Sequence, residues 1–336
     1  MSRALFTSGP IGSGSPLPAV DMSTSIGVFQ TPAPVFTASG CAAAGKELDQ
    51  FFDITQIGGI VTKSVMLNAR SGRATPRMAE TPSGMLNSIG LQGPGIDSFI
   101  ENDLAWLRQR GARTVVSIAG GSVEEYGKLA SKLRNVEGIS AIEVNISCPN
   151  VEDRGQVFAC DPNSASNVIQ AVRRNADTRT PIIAKLSPDV TNIVTIAHAV
   201  QRAGADALAV INTTLGMVID LDTMRPALGG VTGGLSGPAI RPIAVRCVWQ
   251  IHQALPDLPI LGMGGIRNGE DALQFILAGA SAVSVGTVTF HDPSAPLRVQ
   301  QELETALALR GFSALRDAIG YAHRGPDLPE LEEEPE

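Results

Sequence analysis

Cys148 lies in Asn145-Ile-Ser-Cys-Pro-Asn150, directly after an aliphatic run and just before a proline. A lone cysteine is most often a small buried hydrophobe. One that opens a loop at the end of a strand is more often there for chemistry than for packing, which marks Cys148 as the reactive residue. Cys41, Cys160 and Cys247 lack one or more of these features and read as structural. No histidine stands near Cys148, which argues against a cysteine–histidine protease. His198, His252, His291 and His323 fall mostly in predicted helices and read as surface residues. Two lysines, Lys63 and Lys185, also end aliphatic runs. An ammonium there is costly unless it meets an anion or water, so each is a charge partner for a cofactor or substrate, or else a side chain reaching out to solvent. Gly264-Gly265 and Gly286-Thr287 offer bare backbone N–H groups that an anion can approach. One such pair alone would read as a tight turn; both together point to a phosphate. Gly262-x-Gly264 has no glycine three residues later, so it is not a dinucleotide fingerprint.

Such residues need a scaffold that gathers them. Eight short aliphatic runs, at 35–38, 60–63, 114–118, 141–146, 182–186, 207–211, 259–262 and 282–285, read as strands. Helical patterns at 97–110, 122–134, 163–174, 190–202, 239–254, 270–277 and 296–309 separate most of them. Ser122 with Glu125 fits a capping box, and Asn268 fits an N-cap. Ala203-Gly-Ala-Asp-Ala-Leu-Ala-Val210 resembles Ala278-Gly-Ala-Ser-Ala-Val-Ser-Val285, and Gly111-Ala-Arg-Thr-Val-Val116 is a fainter copy. In each, a glycine stops a helix and an aliphatic strand follows at once. Eight strands alternating with helices predict an α/β fold, a (β/α)8 TIM barrel, with an open doubly wound sheet as the runner-up. In a barrel the strand ends carry the site. They are Ser39, Lys63, Ser117, Asn145 with Cys148, Lys185, Asn212 with Thr213, Gly264 with Gly265, and Gly286 with Thr287.

Length and composition agree with one large domain. The chain has 336 residues, 43% of them hydrophobic and only 4% aromatic, as expected where parallel strands are buried on both faces. Residues 1–18 read as a flexible tail, 19–324 as a single barrel, and 325–336 as an acidic disordered tail. A net charge of −7 lacks the footprint of a nucleic-acid binder. The four cysteines form no C-x-x-C pair and histidine is scarce, so no metal site is expected. There is no apolar run of eighteen residues and no secretory leader, so the expectation is a cytoplasmic protein with no membrane contact.

Taken in order, Thr37-Ala-Ser-Gly40, Ile60-Val-Thr-Lys-Ser64, Glu80-Thr-Pro-Ser-Gly-Met-Leu-Asn-Ser-Ile-Gly-Leu-Gln92, Asn145-Ile-Ser-Cys-Pro-Asn150, Ala184-Lys-Leu-Ser-Pro188, Ile211-Asn-Thr213, Thr232-Gly-Gly-Leu-Ser-Gly-Pro238 and Gly262-Met-Gly-Gly-Ile266 resemble the dihydroorotate dehydrogenase family, class 1, B type. The likeness runs from Pro34 to about Tyr321. It implies an FMN barrel that oxidises (S)-dihydroorotate to orotate in pyrimidine (UMP) biosynthesis: a base removes a proton from C5 while hydride leaves C6 for the flavin. The base of class 1 is a cysteine, matching Cys148. By motif, FMN would meet Ser39, Lys63, Ser64, Ser117, Asn145, Lys185, Ile211, Gly237, Gly264, Gly265, Gly286 and Thr287. The pyrimidine would meet Lys63, Asn87, Ser88, Ile89, Gly90, Leu91, Asn145, Asn150, Asn212 and Thr213. Asparagines suit a ring with amide edges, because each offers a donor and an acceptor.

The chain departs from the family at Ser117, where asparagine is expected, and after Cys41, where Ala-Ala-Ala-Gly replaces aromatics. The resemblance further implies a homodimer of barrels, each with an electron-transfer subunit that carries FAD and a [2Fe–2S] cluster and passes electrons to NAD⁺. Alternatives are an A-type, fumarate-using dihydroorotate dehydrogenase and a related FMN barrel for another dihydropyrimidine. The acidic pI argues against a tRNA dihydrouridine synthase. An inactive barrel that only binds a partner would have little use for Cys148 and two strand-end lysines.

Overall fold

Eight of the aliphatic runs form parallel strands in a computed structural model that describes residues 17–147 and 158–325. They are β1 (Val35–Thr37), β2 (Ile60–Val61), β3 (Thr114–Ile118), β4 (Ala141–Asn145), β5 (Ile182–Lys185), β6 (Ala207–Val210), β7 (Ile260–Met263) and β8 (Ala282–Val285). Neighbours run β1-β8-β7-β6-β5-β4-β3-β2. Backbone bonds from Gly58 N to Val35 O (2.7 Å) and from Thr37 N to Gly59 O (3.2 Å) tie β1 to the entry of β2 and close the ring. The closed barrel, rather than the open sheet, is the architecture.

Side chains alternate across each strand, so each strand feeds two cores. Phe36, Val61, Val115, Ala141, Ile183, Ala209, Leu261 and Ala282 point inward and pack together. An antiparallel pair, Thr24–Ile26 with Phe29–Thr31, closes this end, with Ile26 and Phe29 packed on the same cluster. Val116, Ile142, Val144, Ile182, Leu208 and Val283 point outward against the helices. Both faces are therefore dry, which is why the strands read as unbroken aliphatic runs.

The helices follow the expected pattern with shifted ends. They are α1 (Ala105–Arg110, continuing a π-helical stretch Phe99–Leu104), α2 (Val123–Leu133), α3 (Pro162–Asn175), α4 (Ile193–Arg202), α5 (Arg241–Ala254), α6 (Gly269–Leu277) and α7 (Ala295–Ala308). Ser122 Oγ accepts from Glu125 N at 3.2 Å, but the Glu125 carboxylate turns to Gly121 N (2.7 Å). Asn268 Oδ1 accepts from Asp271 N at 2.8 Å. Helix α4 starts three residues later than predicted because Asn192 caps it, accepting from Val194 N and Thr195 N. The repeated glycines adopt positive φ, +76° at Gly111, +106° at Gly204 and +117° at Gly279, a region open to glycine at no steric cost.

One layer escaped the sequence reading. Met78–Thr81, Gly84–Asn87, Thr214–Gly216 and Gly233–Ser236 form an antiparallel sheet over the barrel mouth. These strands are short and glycine-rich, and lack the aliphatic density that identified the barrel. Beside them, Ile219–Asp220 pairs with Arg225–Pro226 in a small hairpin. Among the described residues no helix is long and apolar enough to cross a membrane.

Candidate active site

At the C-terminal ends of the strands lies a cavity of about 270 Å³. Ser39 after β1, Lys185 on β5, Ile211, Asn212 and Thr213 after β6, Gly264 and Gly265 after β7, and Gly286 and Thr287 after β8 all line it. So does Gly237 from the overlying sheet. Ser236 also lines it, unanticipated, and accepts a hydrogen bond from Thr287 Oγ1 at 2.8 Å. Gly264 and Gly265 have φ of +131° and +76°, a backbone that only glycine adopts freely and that leaves no side chain between main chain and cavity. A larger cavity of about 650 Å³ sits at the opposite end, between the Thr24–Ile26 pair and His252, away from the strand C-termini. Catalytic residues of barrels gather at the other face.

Below the first cavity, period two continues the inward-facing positions into polar residues. Asn145 Nδ2 donates to Ser64 Oγ (2.9 Å), Ser64 Oγ lies 2.9 Å from Ser117 Oγ, and Ser117 Oγ donates to Glu143 Oε1 (2.8 Å). Ser39 Oγ is 3.2 Å from Ser64 Oγ. On its other side Asn145 Oδ1 accepts from Ser147 Oγ (3.1 Å) and Asn212 Nδ2 (3.4 Å). Tyr126 Oη fixes the strand end by donating to Asn145 O at 2.7 Å. Ser39, Ser64, Ser117, Asn145 and Asn212 are thus one hydrogen-bonded cluster, with Glu143 at its end. Ser117, where the family pattern suggested asparagine, is a working member of it.

Lys63 is half-buried, and burial first, then nearby Arg77, hold its ammonium below the usual lysine range. Ser88 N donates to Arg77 O, and Asn87 Nδ2 to Gly234 O, in the sheet above the mouth. Ile89 O accepts from Arg73 N, Gly90 O accepts from Arg70 Nε at 2.9 Å, and Leu91 adopts φ of +55°. The 87–91 stretch is therefore anchored to the loop around residues 70–77; none of its five residues lines the cavity itself. Cys148 and Asn150 lie outside the described residues. Ser147, which precedes Cys148 in the sequence, is buried within the asparagine cluster.

The remaining thiols are poor candidates for a base. Burial pushes Cys41 up to about 11, although Lys185 draws it down. Cys247 is buried in the helical layer and Cys160 is held above its ordinary value by burial and Asp189. The histidines correct the sequence reading in part. His323 stacks on Trp249 with ring centroids 3.5 Å apart, and half-buried His252 lies 5.0 Å from His323. Glycines 279 and 320 leave the room His252 occupies.

Glu143 is a further residue that sequence reading missed. Its side chain is fully buried and its Oε1 lies 3.6 Å from Lys185 Nζ, itself 4% exposed. The signal was an acid in the middle of an otherwise aliphatic strand, two residues before Asn145. Removing one member of such a pair strands a charge, at a typical cost of about 3–5 kcal/mol. Lys185→Ala should therefore lower the urea-unfolding free energy by about that much. Lys46→Ala, which breaks a partly exposed pair with Asp103, should cost under about 1 kcal/mol. Equal, small losses would mean that Lys185 is merely solvated.

The arrangement fits a phosphate-bearing ring cofactor. One rim is side-chain-free glycine backbone, and the floor holds a cation and a run of hydroxyls and amides. Residues 22–307 match the family model described as dihydroorotate dehydrogenase. The chain is 49% identical over 300 residues, 89% of its length and 97% of the relative, to the protein of Geobacter sp. (strain M21) named "Dihydroorotate dehydrogenase B (NAD(+)), catalytic subunit". Proteins with the same name from Geotalea daltonii (50% over 300 residues, 89% of this chain and 97% of the relative) and Desulforamulus reducens (47% over 304 residues, 90% and 99%) are similarly close.

Proposed function

This chain belongs to the dihydroorotate dehydrogenase family, and from that premise we propose that it is the FMN-bearing catalytic subunit of a B-type enzyme that oxidises (S)-dihydroorotate to orotate in pyrimidine biosynthesis. The observation that carries the reading is the single connected cluster Ser39–Ser64–Ser117–Asn145–Asn212, with Lys185 at its edge, beneath a glycine-walled cavity. FMN, when bound there, supplies the two-electron acceptor for the hydride from C6.

The protein's own residues bind, orient and deprotonate. Gly264, Gly265, Gly286 and Thr287 would hold the phosphate through their backbone, and Gly237 and Ile211 would contribute to the same cofactor site. Ser39, Ser64 and Ser117 would help position the ring, and Lys185 would offer it a cation. Asn145 and Asn212 would meet the pyrimidine, joined by Thr213, Asn150 and the anchored stretch Asn87, Ser88, Ile89, Gly90 and Leu91. Lys63 meets the substrate carboxylate. Cys148 Sγ takes the proton from C5.

Electrons then pass to NAD⁺ through a second subunit bearing FAD and [2Fe–2S], in an assembly built on a dimer of barrels in the cytoplasm. The relatives' NAD(+)-linked name supports this, as does the Ile219–Asp220/Arg225–Pro226 hairpin, whose Leu221 and Met224 are 85% and 82% exposed. Exposed apolar groups clustered this way favour a protein contact.

The test compares substrates. Purified anaerobically, the chain should release FMN on denaturation and have its flavin bleached by dihydroorotate. Dihydrouracil, which lacks the carboxylate, should bleach it about 10–100-fold more slowly, since a charge-assisted hydrogen bond contributes about 1.5–3 kcal/mol. Equal rates, or preference for dihydrouracil, would move the enzyme to another dihydropyrimidine.

A further inference from the structure

We propose that Glu143 is a positioning residue of this site: its carboxylate is the counter-charge of Lys185 and fixes the sense of the hydrogen-bond chain that ends on Asn145. The proposal rests on the reading of the cavity as an FMN site.

The strand register brings the groups together. Ser117 is directly opposite Glu143 across β3 and β4, and Ile183 is opposite it on β5. Lys185 is two residues beyond Ile183, a diagonal neighbour that long side chains can reach. All three side chains share the inward face. Glu143 Oε1 receives both the Ser117 hydroxyl and the approach of the ammonium, while Oε2 is buried with no hydrogen-bond partner. That carboxylate is therefore hydrogen-bonded on one oxygen only, and the ammonium is its counter-charge. The gap of 3.6 Å exceeds a hydrogen bond, so the ammonium, which lines the cavity, keeps protons free for what binds there.

Proton counting fixes the rest. An ionised carboxylate only accepts, and each serine hydroxyl has one proton. Ser117 must give its proton to Glu143, so Ser64 must give its own to Ser117. Ser64 can then only accept, from Asn145 Nδ2 and from Ser39 Oγ. The Asn145 amide is left with its oxygen toward Ser147 and Asn212, the orientation observed. One buried acid thus sets which face of Asn145 donates and which accepts.

Two electrons add negative charge to FMN, so the field from below sets its preference for the reduced form. Glu143 offsets Lys185; deleting either should move the preference in opposite directions. The experiment measures the two-electron midpoint potential of bound FMN, and FMN affinity, in wild type, Glu143→Gln, Glu143→Asp, Lys185→Gln and the double Gln variant. Glu143→Gln should favour reduced over oxidised FMN about tenfold, a rise of about 30 mV. Lys185→Gln should shift it the other way, the double variant should return close to wild type, and Glu143→Asp should stay near wild type. An unmoved potential in Glu143→Gln, or a shift in the same direction as Lys185→Gln, overturns the proposal. If Glu143→Gln does not fold, the comparison is made on the Lys185→Gln background, where adding Glu143→Gln must raise the potential; no change there overturns it. A wild-type protein that binds no FMN would instead defeat the cofactor reading.

Discussion

Cys148→Ala is expected to slow reduction of the bound flavin by dihydroorotate by about 10²–10⁴-fold, the contribution of a positioned base, while orotate affinity changes only a few-fold. The separation follows from the layout. The residues proposed to meet the pyrimidine, Asn145 and Asn212, are held by Ser64, Ser147 and each other, so they do not depend on the thiol. No other described cysteine is placed to take over: Cys41 is pushed up to about 11, Cys247 sits in the core, and Cys160 does not line the cavity and is held above its ordinary value by burial and Asp189. A base acts in its deprotonated form, and an ordinary thiol titrates near ~8.5. The wild-type reduction rate should therefore climb as pH rises toward that region and flatten above it, and the Ala variant should lose the climb. Stopped-flow absorbance of the flavin measures both. A rate in the Ala variant within a few-fold of wild type would remove Cys148 from the role.

The isolated chain is expected to turn over dihydroorotate with a soluble dye and to show no measurable reduction of NAD⁺. The eight parallel strands are spent on one barrel, and its mouth has to hold both flavin and pyrimidine. The sequence carries no Gly-x-Gly-x-x-Gly fingerprint for a dinucleotide. Its four cysteines, at 41, 148, 160 and 247, are not spaced to ligate an iron–sulfur cluster. Adding the proposed electron-transfer subunit should restore NAD⁺ reduction. Steady-state assays with dye, fumarate and NAD⁺ distinguish the cases. Robust NAD⁺ reduction by the chain alone would end the partner reading, and robust fumarate reduction would make the enzyme A-type.

The barrel was readable because its strands are buried on both faces, so burial alone wrote them as aliphatic runs such as Ile182–Lys185. The strand-end residues followed, since a barrel gathers its loops at one face. Ser39, Lys185, Asn212 and Gly264 do meet there. What escaped depends on contacts distant in sequence. Gly233–Ser236 reads as a glycine-rich loop until it pairs with Gly84–Asn87, some 150 residues earlier in the chain. Histidines 252 and 323 look like surface residues on helices until glycines 279 and 320 let the rings pack. Glu143 was hidden differently. Its strand is legible as an aliphatic run, but the strand-end rule points only to Asn145, not to the inward-facing residue one layer below it. Counting back by two from Asn145 exposes the acid.

Anaerobic titration of the purified chain with (S)-dihydroorotate, following the visible flavin band while orotate is quantified, tests the central claim most directly. The prediction is complete bleaching at about one substrate per bound flavin, with an equal amount of orotate formed, because a two-electron acceptor takes one hydride. A flavin that stays oxidised while orotate binds normally would contradict it, as would a purified protein that carries no flavin.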